Sequence, residues 1–450
     1  MKKKMVCMML VTAMMTAALA GCGSSQENIE SETAASSEST VASSENTAGT
    51  PVEVEFWYSG GKTAVGVIQE IVDSFNESQS QYHVSTVTQA DYDETYQKLQ
   101  AGIAGNAAPD VVLLNVSAAR SLDDKKLMAD LQTLIDADTD FNKDDYLKVF
   151  YDQGVDDQGV VFGLPAYGTT QVMYYNKAAF EEAGIKAEDI KTWADLADAA
   201  EKIKATGNYE YGWEPMWGAD NMIDAAFSNG AKIFSDDGTQ VTINTPEWVE
   251  VWESFRTWIH DDKTMAIHSG GQGWEYWYET IDDVIGGKAG GYIGSSGDQA
   301  DLDFNIVAAM EQPAWSSKTT SAPMAETKTL SVLEGSSDEE KQGAFEFIKY
   351  FTNAESQAKW TMSTGYVAVN QKINDNADYQ AYVAENPQAA VPFAQATHGT
   401  VYPYDPTSGA IKDALKVAAD KVEIDGIDAQ TALDEAQETA QAALDEALGK

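Results

Sequence analysis

NAAPDVVLLN, residues 106–115, is a proline-led run of four large apolar residues with no polar interruption. A strand with one wet face alternates. An unbroken apolar run marks a strand covered on both faces, the usual state of a parallel sheet. Toward the N-terminus, VEVEFW (52–57) reads as a first strand. Val65, Ile68, Val72 and Phe75 make one helix face that closes near Asn76, and HVSTV (83–87) alternates as a second strand. Tyr92 to Ala104 reads as a helix with Tyr96, Leu99 and Ile103 on one side. Strand–helix–strand–helix–strand is the start of a doubly wound α/β fold.

Toward the C-terminus, helix start signals recur. Thr192 with Asp195 forms a capping-box pattern ahead of Trp193, Leu196, Ala200 and Ile203. Ser337 with Glu340 does the same ahead of Phe345, Ile348 and Phe351. Trp248, Trp252 and Phe255 follow Thr245-Pro246 at helical spacing and are expected in the core. A last helix, Ala429 to Leu448, presents Leu433, Ala436, Ala440 and Leu444.

The N-terminus carries Lys2, Lys3 and Lys4, then an apolar stretch from Met5 to Ala20, then Leu19-Ala20-Gly21-Cys22. That order is a secretory signal, too short to span a bilayer as a stable helix. LAGC resembles the lipobox of bacterial lipoproteins, which implies cleavage before Cys22, a lipid on its sulfur and an anchored mature chain. The only other cysteine, Cys7, leaves with the signal, so the exported fold has neither disulfide nor thiolate chemistry. Residues 23–50 are dominated by Ser, Thr, Glu and Ala, with Ile29 and Val41 the only large apolar side chains. They cannot bury enough surface to offset their ordering entropy and are expected to form a tether.

A formal charge of −43 argues against nucleic acid and anionic lipid as partners. Only Arg120 and Arg256 supply the planar fork suited to carboxylate and phosphate. By contrast there are 11 Trp and 20 Tyr. Trp57-Tyr58, Trp213 with Trp217, and the run GQGWEYWYE around Trp274 and Trp277 form aromatic clusters, and that last run shows no clean helical period. Aromatic faces suit the C–H faces of sugar rings, while amides and carboxylates take the hydroxyls. Catalytic patterns are missing: no HExxH, CxxC, GxSxG or GxxxxGK[ST] occurs. Asp136, Asp138 and Asp140 start like a calcium loop, but Phe141 stands where Gly is needed and Leu147 where Glu is needed. A capped turn is the better reading there. No cofactor or metal is expected.

Five segments resemble, in order, the extracellular solute-binding proteins of sugar ABC importers: 106–115, GLPAYGTTQVMYYNKAAFEEAGI (163–185), TWADLADAAEKIK (192–204), GGKAGGYIGSSGD (286–298) and FEFIKYFTNAESQAKWTMSTGYVAVN (345–370). Within that family the chain is most similar to the glycerol-3-phosphate and glycerophosphodiester receptors, with maltose-type receptors more distant. The resemblance implies an α/β, two-lobe, periplasmic-binding-protein-like (type II) fold with a hinge of crossing strands near Gly168–Val172, Tyr292–Ser295 and Glu326–Leu333. The expected division is 1–21 signal, 22–50 lipidated tether, 51–170 plus 294–329 lobe 1, and 171–293 plus 330–450 lobe 2.

Site residues follow from the resemblance by position. Tyr92 matches a ligand-contacting Tyr at the start of the second helix. Asn115 stands where the family has an acid. Thr169 and Thr170, beside Gly168, match hydroxyl residues after the crossing Pro. Trp217 or Trp213 matches a stacking Trp. Ser295 and Ser296 match serines after the returning strand, and Tyr366 the Tyr of the Thr-Gly-Tyr turn. His398 falls where a phosphate-gripping Arg is expected. Trp57 and Trp274 join them from the aromatic clusters. Losing the acid and the Arg argues against a phosphate ligand. The expectation is a monomeric, lipid-anchored receptor that hands a neutral sugar or oligosaccharide to an ABC permease and catalyses nothing. A glycerol-3-phosphate or glycerophosphodiester receptor, a non-transport surface carbohydrate-binding protein and a glycosidase-like enzyme are the competing readings.

Overall fold

The computed structural model describes residues 50–450, so the signal, Cys22 and all but the last residue of the expected tether lie outside the described residues. Eight strands follow in chain order: β1 (Val52–Tyr58), β2 (Tyr82–Thr88), β3 (Val111–Asn115), β4 (Leu164–Asn176), β5 (Glu214–Pro215), β6 (Gly291–Ser295), β7 (Val307–Met310) and β8 (Ala325–Val332). Their hydrogen-bonded order is β2-β1-β3-β8-β4-β6-β5, with β7 added to β4. β1 pairs in parallel with both β2 and β3, as the apolar run of β3 requires. β8 is antiparallel to its neighbours β3 and β4.

β4 positions the site. Its first half, Leu164 to Thr170, pairs with β8. Its second half, Gln171 to Tyr175, pairs with β6, while β7 takes Met173 to Asn176. One 13-residue strand thus belongs to two sheets and changes partner between Thr170 and Gln171. That change falls inside the expected crossing at Gly168–Val172. Gly168 is needed there for space: a Cβ would stand 2.1 Å from the Phe150 ring.

Two large cores lie on either side. The first gathers Val54, Phe56, Ile68 and Phe75 with Phe345, Phe347, Ile348 and Trp360. Phe347 packs 5.2 Å from Phe56 and 5.5 Å from Phe75, each buried ring contributing about 2–3 kcal/mol. The second gathers Trp193, Leu196, Trp248, Trp252, Phe255, Leu433, Ala440 and Leu444. Both expected capping boxes form, at Thr192–Asp195 and Ser337–Glu340. Asp138 closes a capped turn, its Oδ1 accepting from the backbone N–H of Asp140 and Phe141.

Two expectations are corrected. The division of the chain after residue 294 is reversed for residues 307–324 and for residues 330–364. β8 enters the first sheet between β3 and β4, so the following helices, Asp338–Phe351 and Ala354–Thr364, cover the first core. Residues 307–324 stay with the second: β7 pairs with the second half of β4, and Trp315 and Met324 lie in the second core. The helices Ala410–Glu423 and Ala429–Ala447 do fall where expected, in the second core. The run GQGWEYWYE is helical from Glu275 onward, as the start of the helix Glu275–Ile285. Its aromatics hide the period because Trp274 and Tyr278 are exposed, at 66% and 52%.

Candidate functional site

The candidate residues gather where β1 and β3 end and β4 changes partner, the position at which open α/β sheets bind ligands. On the first side, Asn115, Lys328 and Tyr167 are cross-strand neighbours on β3, β8 and β4 and so share one face. Tyr92 opens the helix Tyr92–Gly105, whose first turn is fixed by Asp91 accepting from the Glu94 N–H. The Tyr92 and Tyr167 hydroxyls are hydrogen-bonded to each other. Tyr167 packs 4.5 Å from Trp360 and 5.0 Å from Tyr366. Tyr366 is turned onto them by Gly365, which ends the helix Ala354–Thr364 at φ 75°, a conformation that favours glycine.

Lys328 completes this wall. Its Nζ lies 5.2 Å from the centre of the Tyr92 ring, within cation–π range, and it has no ion pair among the described residues. Burial pulls its pKa down, against Glu326 two residues away. Glu326 answers to Lys412 at 3.3 Å, which holds its carboxyl at about 2. Lys412 also reaches Asp220 at 3.7 Å, joining β8 to the segment that follows Trp217.

Hydroxyls line the partner change. Thr169 Oγ1 shares hydrogen bonds with Ser295 Oγ at 3.3 Å and Ser296 Oγ at 3.5 Å. Thr170 Oγ1 accepts from Gln395 Nε2 at 2.8 Å. The far side is aromatic. Trp217 meets Tyr276 edge-on at 4.8 Å and donates through Nε1 to Asp420 at 2.8 Å. Trp277 Nε1 donates to Asp298 Oδ1 at 3.0 Å, and Tyr292 donates to Asp298 Oδ2 at 3.1 Å. Burial pushes the Asp298 carboxyl up to about 8. Gly297 lets Tyr366 lie against this turn, since a Cβ there would stand 2.6 Å from the phenol ring.

Residues 70–388 match the family described as bacterial extracellular solute-binding protein. The chain belongs to that family. This solute-binding protein is similar to the sn-glycerol-3-phosphate-binding periplasmic protein UgpB of Yersinia pestis bv. Antiqua, at 26% identity over 78% of this chain and 82% of the relative. Its fold is similar to UgpB from Mycobacterium tuberculosis in complex with glycerophosphocholine, with a TM-score of 0.76, 20% identity and coverage of 88% of this chain and 99% of that one. It is also similar to the sugar-binding protein MalE from Xanthomonas citri, with a TM-score of 0.77, 18% identity and coverage of 88% and 98%.

Of the residues singled out in this solute-binding protein, Thr169, Thr170, Ser295 and Ser296 come together at the partner change, and Tyr92 joins Tyr366 through Tyr167. Asn115 caps the helix Val116–Asp123 by position only, because its side chain makes no capping bond. Four placements differ from expectation. Trp213 is fully buried in the second core, its ring against Gly291, and Trp217 is the half-buried one, edge-on to Tyr276. Trp57 packs among Val112 and Leu114 on the other face of the sheet, whereas Phe56 and Tyr58 face the first core. Strand alternation puts it on the opposite face from Tyr167. His398 is exposed and bonded to Glu311, and the neighbour that reaches the crossing is Gln395. Trp274 stands off the wall, edge-on to Trp277 at 5.9 Å. Reading the sequence missed Lys328, Tyr167, Glu326 and Tyr276. The signal existed for one pair: Glu326 and Lys328 put two charges on one face of AETKTL, in the middle of a sheet.

Proposed function

We propose that this solute-binding protein is the receptor of an ABC importer and captures a neutral sugar or oligosaccharide between the Tyr92–Tyr366 and Trp217–Tyr276 walls. The observation that carries this reading is the group of hydroxyls at Thr169, Ser295 and Ser296, set where β4 changes partner and flanked by aromatic rings. Rings stack on sugar faces and hydroxyls or amides take the polar edges. The chain is proposed to be a monomer held at the membrane by lipid on Cys22, with a permease as its partner and no reaction of its own. Ligand touching both walls favours a closed arrangement, and only that differential contact drives closure.

A phosphate ester is the second reading, favoured by one feature, the unpaired Lys328. Against it, both arginines are engaged elsewhere. Arg120 binds Asp124 and Asp157 at 3.2 and 3.3 Å, and Arg256 binds Glu253 and Asp261 at 2.6 Å each. A thermal-shift panel of mono- and oligosaccharides, glycerol-3-phosphate and glycerophosphocholine separates the two. A ligand at ~100 times its Kd adds about 2.7 kcal/mol to stability. Stabilisation by a sugar supports the proposal; stabilisation by the phosphate esters and by no sugar overturns it.

A further inference from the structure

The helix Glu275–Ile285, which carries Tyr276 and Trp277, is held to β5 by ionisable groups that solute capture does not use. Glu214 lies on β5, His268 on the connection that follows Met265, and Asp283 on the helix. His268 Nε2 stands 3.1 Å from Asp283 Oδ2 and 3.6 Å from Glu214 Oε1. Ligand atoms of all three lie within 4.8 Å of one another. A tetrahedral ion with bonds of about 2.0–2.1 Å to N and O holds its donors roughly 3.3 Å apart, close to these separations.

Glu214 is fully buried, and neither of its oxygens has a hydrogen-bond partner. A buried carboxylate left like this must be neutralised, by a proton or by a cation. Burial first, and Asp283 second, push its carboxyl up to about 9. The nearby cation is already committed: Lys288 Nζ sits 2.7 Å from Asp283 Oδ1, while Oδ2 is the oxygen nearest His268. The other ring nitrogen of His268, Nδ1, faces Glu279 Oε2 at 3.4 Å. An imidazole with one nitrogen toward acids and the other on a carboxylate has the orientation of a metal ligand.

We propose that Glu214, His268 and Asp283 form a site for one divalent transition-metal ion, with Glu279 orienting His268. Two carboxylates and one imidazole are a set that suits Zn2+ or Mn2+ and fall short of the six to eight oxygens Ca2+ takes. The ligands come from three separate segments, so the ion pins the aromatic helix to β5 and sets the height of the Tyr276–Trp277 wall. Carboxylate and imidazole ligands bind an ion in their deprotonated forms, so affinity rises with pH. Glu210, Tyr211 and Lys288 are the other titratable groups around the cluster.

The test uses untagged protein stripped with chelator, then titrated separately with Zn2+, Mn2+, Ca2+ and Mg2+. Bound metal is read by elemental analysis after dialysis, and melting temperature by scanning fluorimetry. One equivalent of Zn2+ or Mn2+ and a raised melting temperature are expected, with no response to Ca2+ or Mg2+ at the same concentration. Glu214→Gln should keep the metal-free melting temperature and lose the metal-dependent rise. Glu279→Gln should weaken binding by about 10- to 100-fold, and His83→Ala should change nothing. If His268→Ala does not fold, the wild-type stoichiometry and Glu279→Gln still decide. Uptake well below one equivalent, or an undiminished response in Glu214→Gln or His268→Ala, overturns the site and leaves a hydrogen-bonded His–carboxylate cluster only.

Discussion

Lys328 stands between the two ligand classes, and its substitution is the sharpest single-residue experiment. With a neutral sugar, Lys328→Met removes at most one hydrogen bond, about 1 kcal/mol or roughly fivefold in Kd. With a phosphate ester it removes a charge-assisted contact and costs well over tenfold. Calorimetric titration reads the difference. Trp213 and Trp217 make a second contrast, four residues apart. Trp213→Ala should cost about 3–5 kcal/mol of stability, because its ring fills the core against Gly291. Trp217→Ala should leave the melting temperature nearly unchanged and weaken binding by about 1–3 kcal/mol, as a surface anchor does. Nothing in the spacing of the two tryptophans says which is which, since both sit near one short strand; only the packing around Gly291 does. Asp224 carries a pH prediction. It is buried, accepts from Gln312 Nε2 at 2.7 Å and from the Met324 N–H at 2.9 Å, and burial raises its carboxyl to about 8 from an ordinary 3.8. A raised carboxyl stabilises the fold fully below about pH 4, and that contribution fades as pH rises toward 8. Denaturant unfolding at pH 5 and pH 8 should show a stability difference that shrinks in Asp224→Asn.

At the scale of elements, β4 is the part on which the site depends. Its crossing was legible through the resemblance of GLPAYGTTQVMYYNKAAFEEAGI (163–185) to the family's crossing block. What it pairs with was not. A strand's own residues specify alternation and burial, whereas the identity of the neighbour depends on where distant segments return. β8 slots between β3 and β4, and that insertion carries the helices Asp338–Phe351 and Ala354–Thr364 to the first core. Gly168→Ala tests how tightly the crossing is built. The new methyl meets the Phe150 ring, so a loss of about 1–3 kcal/mol is expected from overpacking. Phe150→Leu should recover part of it in the double variant, a coupling read from denaturant midpoints in a mutant cycle. Tyr366 would move with neither change, because its position comes from Gly365 at the end of another helix.

For the molecule as a whole, the proposed receptor works only if ligand touches both cores. The Lys412–Glu326 and Lys412–Asp220 contacts and the Gln395–Thr170 bond already cross the site. Small-angle scattering on protein lacking residues 1–50 should give a smaller radius of gyration with saturating ligand. An unchanged radius would describe a static binding module. The sequence by itself determined the α/β class, both capping boxes and the tryptophan-rich core helix at 246–256, while its resemblance to the family implied the place where the chain crosses between cores. The first three are written in local periodicity, caps and runs of apolar residues, and local patterns need no knowledge of the partner. Tertiary structure alone decided which tryptophan is buried in the core, which core receives residues 307–360, and that Glu326 pairs with Lys412, leaving Lys328 with no ion pair among the described residues. Those outcomes rest on contacts between residues far apart in the chain, and such contacts leave no period in the sequence.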